Sequence, residues 1–194
     1  DLAATACEKL FSSGVVSKSD IDGLIVCTQT PDHIMPPNST ILQHRLGLPT
    51  SVTALDFTLA CSGFIYGLMM AKATIESGAL NNILLVTAET YSKHIHPDDR
   101  ATMALFGDGA AVTLVRRGTK GIGEVVLGTD GSGADRFTVA AGGARMPKSE
   151  LTRISVTDQF GNVRTPENIY MDGAAVLRFV KREVPPNVTK LLEK

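Results

Sequence analysis

The sequence contains no apolar run near the roughly 20 residues that a membrane-spanning helix needs. No basic, apolar leader with a small-residue cleavage site is recognisable either. An excess of one charge is also missing. Nineteen Lys and Arg stand against 20 Asp and Glu, so no basic field is available to hold nucleic acid or an anionic membrane, and an anionic partner must be gripped locally. Cysteine is scarce. Cys7, Cys27 and Cys61 form no CxxC pair and lie far apart, which speaks against a metal site and against a disulfide framework. A reducing, cytoplasmic setting is expected, with no nucleic acid and no membrane as partner.

The 194 residues, 43% of them hydrophobic, are enough to bury a sizeable core as one domain or most of one. The opening DLAATACEKLFSSG reads as the middle of an amphipathic helix without a cap, and the closing NVTKLLEK stops inside another helical pattern. A piece of a larger protein is expected.

Strand-like and helix-like segments alternate along the chain. The first helix should end at Gly14, with a strand over Ile21 to Thr28, a proline-marked loop over 29 to 37, and a helix from Asn38 or Ser39 to about Leu46. Val52 to Phe57 reads as a strand, the stretch after Cys61 as a helix closing at Ser77-Gly78, and ILLVTAE as a strand buried on both faces. Beyond the loop YSKHIHPDDR, a helical turn over Ala101 to Phe106, a glycine turn over Gly107 to Gly109 and a strand over Ala110 to Val115 are expected. Residues 121 to 143 read as strand, DG turn, strand, and Ile169 to Glu183 as a helix that Pro185-Pro186 must break or restart. This order suits an α/β fold, a layered sheet with parallel pairings and helices on both faces.

Cys7 lies among Ala3, Ala6, Leu10 and Phe11 at helical spacing, and Cys27 ends the run Gly-Leu-Ile-Val, so both read as packing residues. Cys61 differs. In LDFTLACSGFIYG it sits where a strand turns into a helix. Backbone N–H groups of a first helical turn favour a thiolate there and can hold the oxyanion formed when it attacks a carbonyl. Ser62 and Gly63 leave that approach open; a buried structural cysteine at a tight turn is the competing reading. His94, His96, Asp98 and Asp99 resemble a metal cluster but read as solvated loop residues beside Pro97. GTDGSGAD lacks the features of a phosphate or calcium loop and reads as a plain hairpin turn. The GxSxG elbow is absent.

Four stretches, DFTLACSGFIYGL, SGALNNILLVTAE, DRATMALFGDGAA and LGTDGSGAD followed by AAGGARMP, resemble the β-ketoacyl-acyl carrier protein synthase III family. The resemblance implies a thiolase-like fold, here incomplete: residues 1–168 as the N-terminal half lacking its first strand, and 169–194 as the start of the C-terminal half. It implies that Cys61 accepts an acyl group, usually acetyl, from acyl-CoA. That group then passes to malonyl-acyl carrier protein in a decarboxylative condensation, the first of fatty-acid synthesis. It places Arg100 at the CoA nucleotide, Leu105 and Phe106 near the acyl pocket, and Met35 at the neighbouring subunit's pocket in a homodimer. A surface ion pair of Arg100 with Asp98 or Asp99, and a core role for Phe106, are the competing readings. Acyl-CoA is a substrate, and no resident cofactor or metal is implied. The family's catalytic His and Asn lie in second-half motifs of the PHQAN and GN kind; PHQAN does not occur in these residues, and their Gly161-Asn162 pair falls before residue 169, in the stretch read as the first half. A condensing enzyme or acyltransferase of another pathway, and a non-catalytic thiolase-fold scaffold half, remain the alternatives.

Overall fold

The computed structural model describes residues 1–118 and 121–194, which fall into two compact units. One comprises Asp1–Glu89 with Asp108–Val125, the other Thr90–Gly107 with Val126–Lys194.

The first unit alternates helix and strand. The helix α1 (Leu2–Ser12) closes before Gly14, whose φ of +74° suits a residue without a Cβ. Then come β1 (Gly23–Cys27), α2 (Asn38–Arg45), β2 (Thr53–Phe57), α3 (Gly63–Glu76) and β3 (Asn82–Thr90). The short helix α4 (Arg100–Met103) lies in the second unit, and β4 (Asp108–Arg116) returns to the first. The sheet has the order β2-β1-β3-β4, with β1 parallel to both of its neighbours. Arg117 N–H donates to Asn81 O at 3.2 Å, which sets the end of β4 beside the start of β3 and makes the sheet mixed.

Side chains alternate across a strand, and both faces of this sheet are apolar. Leu24, Val26, Leu84 and Val86 pack on one face with Ala4 and Cys7 of α1 and Leu42 of α2. Ile25, Ile83 and Leu85 pack on the other with Ala71 and Ile75 of α3. Helices therefore cover both faces, as the α/β alternation predicts. Gly67 lets α3 lie close, since a Cβ there would collide with Leu85 Cδ1.

The second unit holds α4 and the short strands β5 (Phe137–Val139), β6 (Val156–Thr157), β7 (Val163–Arg164) and β8 (Ile169–Met171), followed by α5 (Gly173–Leu192). β5 pairs antiparallel with β8, and β6 with β7. No helix among the described residues is long and apolar enough to cross a membrane.

Four local expectations are corrected. The glycine turn at 107–109 is absent because β4 already begins at Asp108. GTDGSGAD makes no hairpin: the Asp130 carboxylate accepts from Ser132 N–H at 3.0 Å and from Ser132 Oγ at 2.6 Å. This bonding caps a 3-10 turn over Gly131–Gly133, and β5 finds its partner in β8. Ile169–Met171 is strand, and the helix starts after Asp172, whose Oδ1 accepts from Ala175 N–H at 2.9 Å. Finally, α5 continues through Pro185 and Pro186 to Leu192. Lys181 and Arg182, whose carbonyls lose a donor there, are exposed, so water meets them.

Candidate active site

β2 runs into Thr58-Leu59-Ala60, Cys61 and Ser62 form a turn, and α3 starts at Gly63. Gly63 N–H donates back to Ala60 O at 2.7 Å, and the N–H groups of Ile65 and Tyr66 both reach Ser62 O, at 3.0 and 3.1 Å. This tight opening turn leaves Cys61 exposed at the N-terminal end of a 14-residue helix, where the helix dipole favours negative charge.

The other two thiols are sealed in. Cys7 is 0% and Cys27 3% exposed. Burial, with Glu8 nearby, pushes the Cys7 thiol up to about 11. Burial likewise raises Cys27, with Glu89 adding to the rise. Both read correctly as packing residues. Cys27 does more than pack, however: its Sγ lies 3.2 Å from Leu59 O.

Met35 stands on the loop between β1 and α2, 78% exposed beside Ile34 at 95%. The loop is tied at both ends by carboxylates that local sequence does not reveal. Glu89, at the end of β3, accepts from Gln29 N–H at 2.8 Å and from Thr30 Oγ1 at 3.0 Å. Asp56, in β2, accepts from the N–H groups of Asn38 and Ser39 at 2.6 and 2.8 Å. The cap of α2 thus comes from a neighbouring strand and not from Asn38 or Ser39.

Arg100, Leu105 and Phe106 lie within seven consecutive residues of the second unit. Arg100 opens α4 and is exposed. Among the described residues it forms no ion pair, so the surface bridge to Asp98 or Asp99 is absent. Asp99 instead is 1% exposed and pairs with Arg164, Nε to Oδ2 at 2.5 Å and Nη2 to Oδ1 at 3.1 Å. It also accepts from Thr102 N–H and Oγ1 at 3.1 and 2.7 Å. The expectation of solvated residues through this loop therefore fails at Asp99, because a cation from β7 compensates its burial. Burial pushes the Asp99 carboxyl up, but the bonds from Arg164 and Thr102 outweigh it and hold it below the usual range. Leu105 is 63% exposed. Phe106 stacks on Tyr91 with centroids 5.3 Å apart and meets Phe137 at 5.7 Å; it is half-buried. Cys61 and Met35 belong to the first unit and the other three residues to the second. Among the described residues no group of three or more His, Cys, Asp or Glu is placed to hold a metal ion.

The profile of the 3-oxoacyl-[acyl-carrier-protein] synthase III family matches residues 55–131, the stretch holding Cys61, Arg100, Leu105 and Phe106. A putative 3-oxoacyl-[acyl-carrier-protein] synthase 3 of Campylobacter jejuni is 35% identical over 193 residues, covering 100% of this chain and 54% of the relative. A crystal structure of a 3-oxoacyl-(acyl-carrier-protein) synthase III superposes with a TM-score of 0.96 at 47% identity, over 100% of this chain and 58% of that one. The priming β-ketosynthase of the R1128 polyketide pathway reaches a TM-score of 0.74 at 29% identity, over 95% of this chain and 52% of that one. The chain spans about half the length of the curated relatives it matches. Along its whole length this chain is similar in sequence and in thiolase-like fold to the 3-oxoacyl-[acyl-carrier-protein] synthases III.

Proposed function

We propose that this chain carries the acyl-accepting part of a 3-oxoacyl-[acyl-carrier-protein] synthase III, with Cys61 as nucleophile. Its sulfur attacks the carbonyl carbon of an acyl-CoA, backbone donors at the start of α3 receive the oxyanion, and the CoA sulfur leaves with the proton that Cys61 gives up. In the second step malonyl-acyl carrier protein loses carbon dioxide. The resulting carbanion forms a carbon–carbon bond to the acyl carbonyl carbon, the carbon–sulfur bond to Cys61 breaks, and the sulfur leaves as a thiolate that regains its proton from solvent. Arg100 holds the CoA nucleotide, Leu105 and Phe106 border the acyl chain, and Met35 limits that chain's length from a second copy. Residues 1–168 form the N-terminal thiolase-like half and 169–194 open the C-terminal half. The protein acts in the cytoplasm and takes acyl-CoA as a substrate, with no resident cofactor.

The observation that carries this reading is the contrast among the thiols: Cys61 is exposed at a helix start, while Cys7 and Cys27 are buried. A homodimer is supported by the edge position of β2 in the sheet and by the exposed Leu55, Phe64 and Ile65 next to it. Likeness to a polyketide priming ketosynthase supports a second reading, a condensing enzyme of the same chemistry in another pathway. A bare scaffold has no use for an exposed thiol at a helix start. The test is incubation with acetyl-CoA followed by intact-protein and peptide mass spectrometry. Acetyl on Cys61 is expected; acetyl on Cys7 or Cys27, with Cys61→Ala loading normally, overturns the proposal.

A further inference from the structure

We infer that Cys27 is a positioning residue for the Cys61 turn, holding the backbone on both sides of it from beneath. This rests on the reading of Cys61 as acyl acceptor. Cys27 is the last residue of β1, in register with Phe57 at the end of β2. Residues alternate along β1, so Cys27 faces the same side as Ile25, the side on which α3 packs. There its sulfur touches two points of the chain. The thiol donates to Leu59 O at 3.2 Å, two residues before Cys61. The same sulfur lies against Gly63, where an added Cβ would run into it, two residues after Cys61.

Gly63 is therefore a glycine for steric reasons set by Cys27, and the start of α3 sits as low on the sheet as that sulfur allows. A thiol suits this place because its long C–S bond reaches the carbonyl while its weak polarity tolerates burial at 3% exposure. Thr28 N–H donates to Phe57 O at 3.3 Å, so the strand ends beneath the turn are themselves pinned and the sulfur is a fixed wedge. Oxyanion stabilisation depends on donors being in place before reaction, and a wedge that sets the height of the first helical turn sets where those donors point.

The experiment compares acetyl loading of Cys61 from acetyl-CoA with its alkylation by iodoacetamide, in which sulfur displaces iodide and needs no oxyanion donors. Cys27→Ala is expected to slow loading roughly tenfold, between the loss of one net hydrogen bond and the hundredfold cost of a 1 Å misplacement. Alkylation of Cys61 should stay near the unmodified rate, and Cys7 should remain protected. Cys27→Ser, which keeps a donor, should recover most of the loading. Unchanged loading in Cys27→Ala overturns the inference, and so does a loss matched by opening of Cys7 to iodoacetamide, which marks general unfolding. Should Cys27→Ala not fold, Cys27→Val keeps the bulk without the donor, and loading at the original rate in that variant is equally fatal. A cycle separates this inference from the functional reading. Gly63→Ala should lower the urea midpoint, and Cys27→Ala added to it should recover part of that loss; simple additivity overturns the wedge even if no variant accepts acetyl. Absence of loading in the unmodified chain, with a non-additive cycle, counts against the functional reading alone.

Discussion

Arg164 and Asp99, 65 positions apart, form a two-pronged ion pair in which Asp99 is 1% and the Arg164 side chain 17% exposed. The arginine also reaches Asp158 Oδ2 at 3.1 Å, and Asp98 O accepts from Val163 N–H at 3.4 Å. The β6-β7 hairpin thereby straps the segment that carries Arg100. Removing one partner of a buried pair leaves the other charge uncompensated, so Arg164→Ala should cost about 3 kcal/mol in urea unfolding. Adding Asp99→Asn to it should cost far less than the sum of the two single changes. Equal and additive losses would show that the two groups do not act as a pair.

The same pair makes stability depend on pH. Asp99 is held below its unfolded value, and Asp158 is held at about 2, chiefly by Asn162. Both contributions are complete above the unfolded carboxylate value of about 3.9 and disappear as pH falls through the folded values. The urea midpoint should drop between pH ~4 and ~2, and Asp99→Asn should flatten that drop. A midpoint that holds constant through this range contradicts the assignment.

Gly67→Ala sets two effects against each other. Alanine is the better helix former by about 1 kcal/mol, but its Cβ would press on Leu85, which is 1% exposed. Overpacking of a filled core costs ~1 to 3 kcal/mol, so the net change should be destabilising. Leu85→Val in the same chain should restore part of it. A more stable Gly67→Ala, read from its melting midpoint, would mean that α3 rides higher on the sheet than described.

Asp56→Ala removes the acceptor of the first two N–H groups of α2 and should cost ~1 to 2 kcal/mol, as loss of a cap does. Asp56→Asn should cost less. Because the Met35 loop feeds into this cap, limited proteolysis should cut between residues 31 and 37 faster in Asp56→Ala. Unchanged cleavage would detach the loop from the cap.

Arg100→Ala should weaken binding of acetyl-CoA by roughly tenfold or more, the worth of a charge-assisted contact, and leave a short acetyl thioester without nucleotide little affected. An equal loss for both substrates would give Arg100 a structural role. Acetyl loading should also outpace condensation in these 194 residues, because the PHQAN stretch that carries the family's catalytic His does not occur in them. Comparable 3-oxoacyl product from this chain and from a full-length relative would refute that division.

The sequence by itself determined the elements whose causes are local. The four-residue run Ile83–Val86, buried on both faces, declares its strand, Gly14 and Gly78 end their helices with positive φ, and Cys61 stands between a strand pattern and a helix pattern. The tertiary structure decided what depends on residues far apart in the chain. Nothing near Asn38 says that Asp56 will cap its helix, nothing near Asp99 says that Arg164 will compensate its burial, and the DG pair at 130–131 suggested a hairpin until Ser132 bonded Asp130 locally and β8 took β5. Pro185 and Pro186 likewise forecast a break that an exposed helix does not need, since water can replace the lost donors. Cys27 combines both: its burial follows from the apolar run it ends, whereas its hold on Leu59 and Gly63 exists because the parallel register of β1 and β2 brings residue 27 beneath the turn at 61.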